Sequence, residues 1–339
     1  MCPKDELVAV TGATGFVGAH IVKQALENGY AVRSVVRSQE KGKQLLEHFP
    51  SSNHTVSFVP DIRDKEALEK AFHGVKVVQH VASPYTMAFD DARSEMLDPA
   101  IQGTLAVLEA ADKQGVEHVI ITSSYAAINC YEKGGAIRDY TYTEDDWNPA
   151  TYEDAAASPN KVYIYSASKA LAEKAAWDYL QKRPSFALTT FCPPGIVGPI
   201  VHPVKALDQL NTSCANVWRL ISGQTNGQVP PTLLPQTVDV RDVAKAHVYA
   251  MSNPRSKGER FILRGYYIDM QVIVDYLREI FPSHRATIPV GEPGTRNQPG
   301  PVARLDASKA ERLLGMKWTT WNETYKDLAI QLWDMSEKQ

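Results

Sequence analysis

The chain has 339 residues, 44% of them hydrophobic, enough for a large core in one large or two modest domains. A net charge of -3 leaves no electrostatic case for nucleic acid or an anionic membrane surface. No run approaches the ~18 apolar residues of a membrane span, and Cys2, Cys130, Cys192 and Cys214 have neither metal-ligand spacing nor a disulfide framework. The N-terminus shows no charged leader followed by an apolar region. The expectation is a cytoplasmic protein of a reducing compartment, with no metal, no membrane and no nucleic-acid partner.

Leu7–Thr11 is a short apolar run of the kind buried on both faces of a parallel sheet. Gly12-Ala-Thr14-Gly15-Phe16-Val17-Gly18 follows at once, and then apolar residues at helical spacing run to Asn28-Gly29, a helix-end signal. Glycines between a first strand and a first helix let the backbone approach a pyrophosphate, and the helix N-terminus offers amide donors. Gly12, Thr14, Gly15, Phe16, Val17 and Gly18 are therefore expected to hold a dinucleotide.

A second strand, Ala31–Val36, ends at Arg37. An acidic residue at this place suits a ribose 2′-hydroxyl, whereas an arginine suits a 2′-phosphate. Arg37-Ser-Gln-Glu-Lys41 offers two cations, with its only acid three residues beyond the strand, so Arg37 and Lys41 point to NADP(H). Strand and helix then alternate: strands at 55–59, 75–81 and 117–122, helices at 65–72 and 99–114. Such βαβ units imply an α/β fold with a Rossmann-type, doubly wound parallel sheet. Asp61 and Ile62 fall where the adenine is expected, Asp61 being equally readable as a helix cap. Ala82, Ser83 and Pro84 end the fourth strand on the same rim.

The fifth strand ends in Thr122-Ser123-Ser124-Tyr125, on the edge where open α/β sheets bind ligands. A serine there can donate to a substrate carbonyl oxygen. Residues 131–160 read as a long polar and aromatic excursion. The helix that follows, to about residue 183, carries Tyr165 and Lys169 one turn apart, so phenol and ammonium project together. A nearby ammonium favours the phenolate, and such a tyrosine can exchange a proton with an alcohol or carbonyl. The spacing is common enough by chance that it gains weight only from the glycine loop and the serines.

A sixth strand at 186–191 precedes Cys192-Pro-Pro-Gly-Ile-Val-Gly-Pro199, which reads as irregular. Beyond it the expectation is a helix at 207–221, a strand at 237–240, a helix at 242–251, a strand at 260–263 and helices at 270–280, 306–314 and 321–335. The expected partition gives residues 1–191 with 236–257 and 306–339 to the NADP-binding domain. Residues 192–235 with 258–305 form a smaller mixed α/β substrate-binding domain.

Arg37-Ser-Gln-Glu-Lys41, Thr122-Ser-Ser-Tyr-Ala-Ala127, Trp147-Asn-Pro-Ala-Thr151, Ala172-Glu-Lys-Ala-Ala-Trp177, Asn211-Thr-Ser-Cys214 and Asp239-Val-Arg-Asp-Val-Ala-Lys-Ala-His247 resemble the extended short-chain dehydrogenase/reductases. Within them they resemble the group around dihydroflavonol reductases and fungal aldehyde and methylglyoxal reductases. The resemblance implies an NADPH-dependent reductase of small carbonyl substrates, monomeric or homodimeric. Ser124 would polarise the carbonyl, Tyr165 would donate the proton, and Lys169 would hold the nicotinamide ribose. Pro193 would cover the nicotinamide, and Tyr85, Tyr125 and Val162 would line the substrate pocket. One departure is Gln102, where relatives often carry the asparagine of a proton relay. Rival readings are a sugar-nucleotide epimerase or hydroxysteroid dehydrogenase on this fold, and an NADP sensor without turnover.

Overall fold

The computed structural model describes residues 6–84, 86–182, 186–232, 235–296 and 300–338. In chain order the elements are β1 (Leu7–Thr11), α1 (Phe16–Glu27), β2 (Ala31–Val36), α2 (Gln39–His48), β3 (His54–Phe58), α3 (Lys65–Phe72), β4 (Val77–His80), α4 (Asp98–Lys113) and β5 (His118–Thr122). They continue with β6 (Thr141–Tyr142), α5 (Tyr152–Ala157), α6 (Lys161–Lys182), β7 (Ala187–Cys192), β8 (Gly195–Val197), α7 (Thr212–Ile221), β9 (Gln236–Asp239) and α8 (Val240–Ser252). The last are β10 (Glu259–Ile262), β11 (Tyr266–Tyr267), α9 (Met270–Ile280), β12 (Arg304–Leu305), α10 (Ser308–Leu314) and α11 (Trp321–Ser336).

Seven parallel strands form the main sheet in the order β10-β7-β5-β4-β1-β2-β3. Alternation along each strand feeds two cores. Val8 and Val10 join α1, α8 and α10 on one face, while Ala9 joins α3, α4 and α6 on the other. Burial on both faces explains why β1 and β5 are dominated by apolar residues. The chain turns one way from β1 to β2 and β3 and the other way from β4 onward, which opens a crevice at the carboxyl ends of β1 and β4.

A third core packs α7, α9 and α11, with Cys214, Leu220, Ile273, Leu277, Leu328 and Leu332 buried. Beside it lies the three-stranded sheet β11-β9-β8. Arg241 at the start of α8 ties this core to the rest, with Asp239 2.7 Å and Asp327 2.6 Å from its guanidinium.

Several expectations for the second half are corrected. The strand near 260 is β10, the edge of the main sheet beside β7, not part of the smaller unit. β9 and α11, expected with the NADP-binding domain, belong to the small sheet and the third core. The irregular stretch after Cys192 contains β8, and the expected helix at 207–221 is a short turn at Leu207–Gln209 followed by α7. For the strands a long-range partner decides the outcome, and local pattern does not name that partner.

The turn from β1 into α1 depends on absent side chains. A Cβ on Gly18 would lie 2.2 Å from the Gly12 carbonyl oxygen, a backbone atom that cannot move aside. Gly18→Ala is therefore expected to cost about 1–3 kcal/mol of stability and to weaken dinucleotide binding, checked by denaturant unfolding and ligand titration. An unchanged unfolding midpoint would contradict the packing account.

Candidate active site

The crevice is floored by the ends of β1 and β4. Gly12 adopts φ +68°, and a Cβ there would sit 2.9 Å from the Ala82 amide nitrogen. Glycine thus lets the loop after β1 lie directly against the chain leaving β4. Thr11 closes the contact: its hydroxyl oxygen accepts from the Val81 and Ala82 amides at 3.1 and 3.2 Å. With both acceptor sites used, its proton goes to His80 Nδ1, 2.9 Å away. This network assigns His80 as the Nε2–H tautomer, facing the Thr104 hydroxyl at 3.5 Å. Burial and the neighbouring Lys169 push His80 down to about 3, so it stays neutral.

The loop itself is open. Gly15 is exposed and Thr14, Phe16 and Val17 are partly exposed, at the N-terminus of α1. A dinucleotide fits here because the open residues stand at the N-terminus of α1, whose first amides have no intrahelical acceptor, while glycine at 12 and 18 lets the loop fold back on its own backbone and leaves that end uncovered. Phe16 packs edge-on against His20 and His202 at 5.9 and 6.1 Å, joining the loop to the third core.

On the adenosine side, Val35 pairs with Thr11, so Arg37 stands just beyond the glycine turn on the same rim. Arg37 and Lys41 are both exposed, on either side of the Ser38 cap of α2. Glu40 is engaged by Gln44 at 2.8 Å. Among the described residues, neither Arg37 nor Lys41 has a carboxylate partner. Asp61 does not cap a helix; that role falls to Asp64, while Asp61 holds the Arg63 guanidinium at 2.6–3.1 Å. The hydrogen bonds from Arg63 keep its carboxyl below the ordinary range. Ile62 lies against α4, where Gly103 leaves it room: a Cβ there would be 2.8 Å from Ile62 Cγ2.

On the other side, α6 packs on the Tyr125–Ala127 turn after β5. The adjacent serines divide their roles. Ser123 is buried and donates to Glu173 at 2.6 Å, whereas Ser124 is partly exposed and accepts only from the Ala126 amide among the described bonds. Pro193 is buried; its carbonyl accepts from the Tyr125 amide at 2.8 Å and pins the turn to β7. Lys169 shares a small cavity with His80, Ala82, Ser83, Thr104, Ser123 and Glu173. Tyr165 lies one turn earlier on α6 and is partly buried. Burial pulls the Lys169 ammonium down to about 8, against the opposing charge of Glu173.

Pocket residues are placed as follows. Tyr125 is partly buried, edge-on to Tyr142 at 5.5 Å, and its hydroxyl lacks a partner among the described residues. Val162 is 46% exposed in the first turn of α6, beside Tyr163, whose ring packs edge-on to Tyr131. Tyr85 lies outside the described residues. Gln102 is on the exposed face of α4, and it is Thr104 that is buried toward His80. Sequence reasoning missed Thr11, His80, Thr104, Glu173 and Arg260; for Thr11 and His80 the available signal was a polar residue at the end of a strand, while Thr104 and Glu173 lie on helices and Arg260 inside β10, where local pattern gives none.

Residues 9–272 match the 3-beta hydroxysteroid dehydrogenase/isomerase family. The chain belongs to this family. It is a member of the extended short-chain dehydrogenase/reductases. It is 38% identical to the NADPH-dependent methylglyoxal reductase GRE2 of Saccharomyces cerevisiae, covering 96% of this chain and 97% of that protein. It is also 38% identical to the putative uncharacterized oxidoreductase C513.07 of Schizosaccharomyces pombe, over 98% of each. The crystal structure of yeast methylglyoxal/isovaleraldehyde reductase Gre2 complexed with NADPH matches with a TM-score of 0.86 at 36% identity, over 98% of this chain and 100% of that one. These relatives match nearly the whole length of the chain, not only the glycine loop.

Thr11→Val keeps the volume and removes the hydroxyl that holds the Val81 and Ala82 amides. Leaving those donors unmet is expected to cost about 1–3 kcal/mol and to weaken dinucleotide binding several-fold, read by thermal unfolding and titration. Unaltered affinity would show that the amides are held otherwise.

Proposed function

We propose that the protein is an NADPH-dependent carbonyl reductase, acting on small aldehydes, ketones and α-dicarbonyls such as methylglyoxal, with a stereochemical preference in the alcohol product. One observation carries the reading: the Lys169 side chain enters the cavity beside Ala82 and Ser83, so the proton-transfer helix meets the crevice of the glycine loop. The methylglyoxal reductase named above supports the substrate class.

The nicotinamide, when bound, supplies the hydride. Gly12, Gly15 and Gly18 admit the pyrophosphate to the N-terminus of α1, with Thr14, Phe16 and Val17 shaping the loop. Arg37 and Lys41 neutralise the 2′-phosphate, and among the described residues no carboxylate competes for either charge. Ser124 donates to the substrate carbonyl oxygen, and Tyr165 gives it a proton as negative charge develops. Lys169 holds the ribose hydroxyls and, while charged, favours the phenolate that Tyr165 leaves behind. Tyr125, Val162 and Tyr85 bound the substrate. The core around α7, α9 and α11 closes the crevice as a substrate-binding unit, and the protein works in the cytoplasm as a monomer or homodimer.

Absorbance at the NADPH band with methylglyoxal, 3-methylbutanal and an aryl ketone, repeated with NADH, tests the reading. Consumption of NADPH with little of NADH is expected; silence with every carbonyl despite NADPH binding would favour a sensor. Tyr165→Phe should remove turnover while leaving NADPH affinity nearly unchanged, and retained turnover would refute the proton donor. Arg37→Glu should raise the NADPH KM by about 10–100-fold and leave the NADH KM nearly alone; equal effects would refute the 2′-phosphate assignment. The charged lysine is the active form, so kcat/KM should be full below pH 7 and fall as pH rises through about 8.

A further inference from the structure

Beneath the candidate catalytic groups lies a buried ion pair that the mechanism above does not use. Glu173 follows Lys169 by one turn of α6 and lines the same cavity. Its side chain is almost fully enclosed, as is that of Arg260 on β10. Arg260 Nε donates to one carboxylate oxygen at 2.9 Å and Nη2 to the other at 3.2 Å. The guanidinium also reaches the carbonyls of Glu144 at 2.7 Å, Asp146 at 2.6 Å and Ala127 at 3.4 Å. All five of its N–H groups therefore have acceptors, and its plane lies 3.6 Å over the Trp147 ring. Glu173 accepts in addition from Ser123 and Thr190, each at 2.6 Å. The pair thus joins α6, β7, β10, the Ser123–Ala127 turn and the loop at 144–147.

We propose, resting on the reductase reading above, that Glu173 and Arg260 are positioning residues that hold the Ser124 turn against α6 and set the electrostatic field in which Tyr165 and Lys169 exchange protons. Glu173 is ionised: burial opposes its charge, but Arg260, Ser123 and Thr190 outweigh burial. Few other charges face Lys169. His80 on β4 is neutral, and Cys192 on β7 is an uncharged thiol, since burial pushes its pKa up. Along α4, Asp98 accepts from Tyr152, Glu109 pairs with Lys65 and Lys113 with Glu69, all turned elsewhere. Asp112 takes the Tyr179 hydroxyl. The local field is therefore the difference between Glu173 and Arg260. Removing the negative partner disfavours the protonated forms of both Lys169 and Tyr165. Removing the positive partner favours them. The sign is the same whichever member of the coupled pair titrates.

The test compares wild type with Glu173→Gln, Arg260→Gln, Arg260→Lys and the double Gln variant. Two quantities are followed across pH: the basic limb of kcat/KM for NADPH-dependent reduction, and the modification of Lys169 by trace acetic anhydride, read by mass spectrometry. The second needs no turnover, so an inactive wild type would refute the reductase reading and still leave the pair tested. Glu173→Gln should move both midpoints down by about one pH unit, and Arg260→Gln up by about one. The double variant should return near wild type. Arg260→Lys keeps the charge without the fork, so its midpoint should stay while kcat falls. Where one single variant does not fold, the direction in which the other is displaced from the double variant decides. A merely structural pair would lower activity in every variant with no opposed displacement, and midpoints within about 0.2 units of wild type throughout would overturn the proposal.

Discussion

The crevice exists because the chain can touch itself at its floor. Gly12 and Gly18 let the loop after β1 lie against its own carbonyl and against the Ala82 amide, closer than any side chain allows. That contact sets the height of the helix N-terminus above the sheet. It also sets the depth of the site, because Thr11 draws the chain after β4 inward by two amide bonds. The partly exposed Thr14–Val17 segment and the cationic rim at Arg37 and Lys41 follow from the same placement. Glycine costs conformational entropy in the unfolded chain, and the structure places that cost where the approach of backbone to backbone returns a binding surface.

Across the crevice, burial rather than exposed charge governs the chemistry. His80 and His247 are neutral because they are enclosed, so the sheet ends supply hydrogen-bonding groups of fixed polarity. His247 spans Gln79 and Thr122 at 2.6 and 2.9 Å and joins β4, β5 and α8 without adding charge. Lys169 is largely enclosed in the cavity it lines, and its lowered pKa follows from desolvation that Glu173 only partly offsets. Buried ion pairs are weak evidence for stability, since desolvation consumes most of the Coulombic gain. Their worth here lies in direction: a rigid, fully bonded guanidinium fixes where the carboxylate points and where the neighbouring turn sits.

Much of this was legible in the sequence. The first five strands, the glycine loop and the helix carrying Tyr165 and Lys169 fall where local pattern puts them, because apolar runs bounded by glycine admit few alternatives. α1 ends at Asn28 and Gly29 as that pair predicts, with Gly29 at φ +85°. The second half was less legible. Arg260 lies in a strand-like run that suits any sheet, and only its partner β7 assigns it to the main one. Its burial is equally invisible, because an arginine is enclosed only when acceptors from Ala127, Glu144, Asp146 and Glu173 converge on it. Pro193 shows the same limit: the resemblance singles it out, but local pattern gives neither its burial nor its carbonyl bond to Tyr125.

The most direct test of the account is a crystal structure of the protein grown with NADP+. The account predicts the pyrophosphate against residues 12–18, the 2′-phosphate between Arg37 and Lys41, and the nicotinamide ribose within hydrogen-bonding reach of Lys169. A cofactor whose 2′-phosphate lies away from Arg37, or whose nicotinamide end leaves Tyr165 and Lys169 uncontacted, would contradict it.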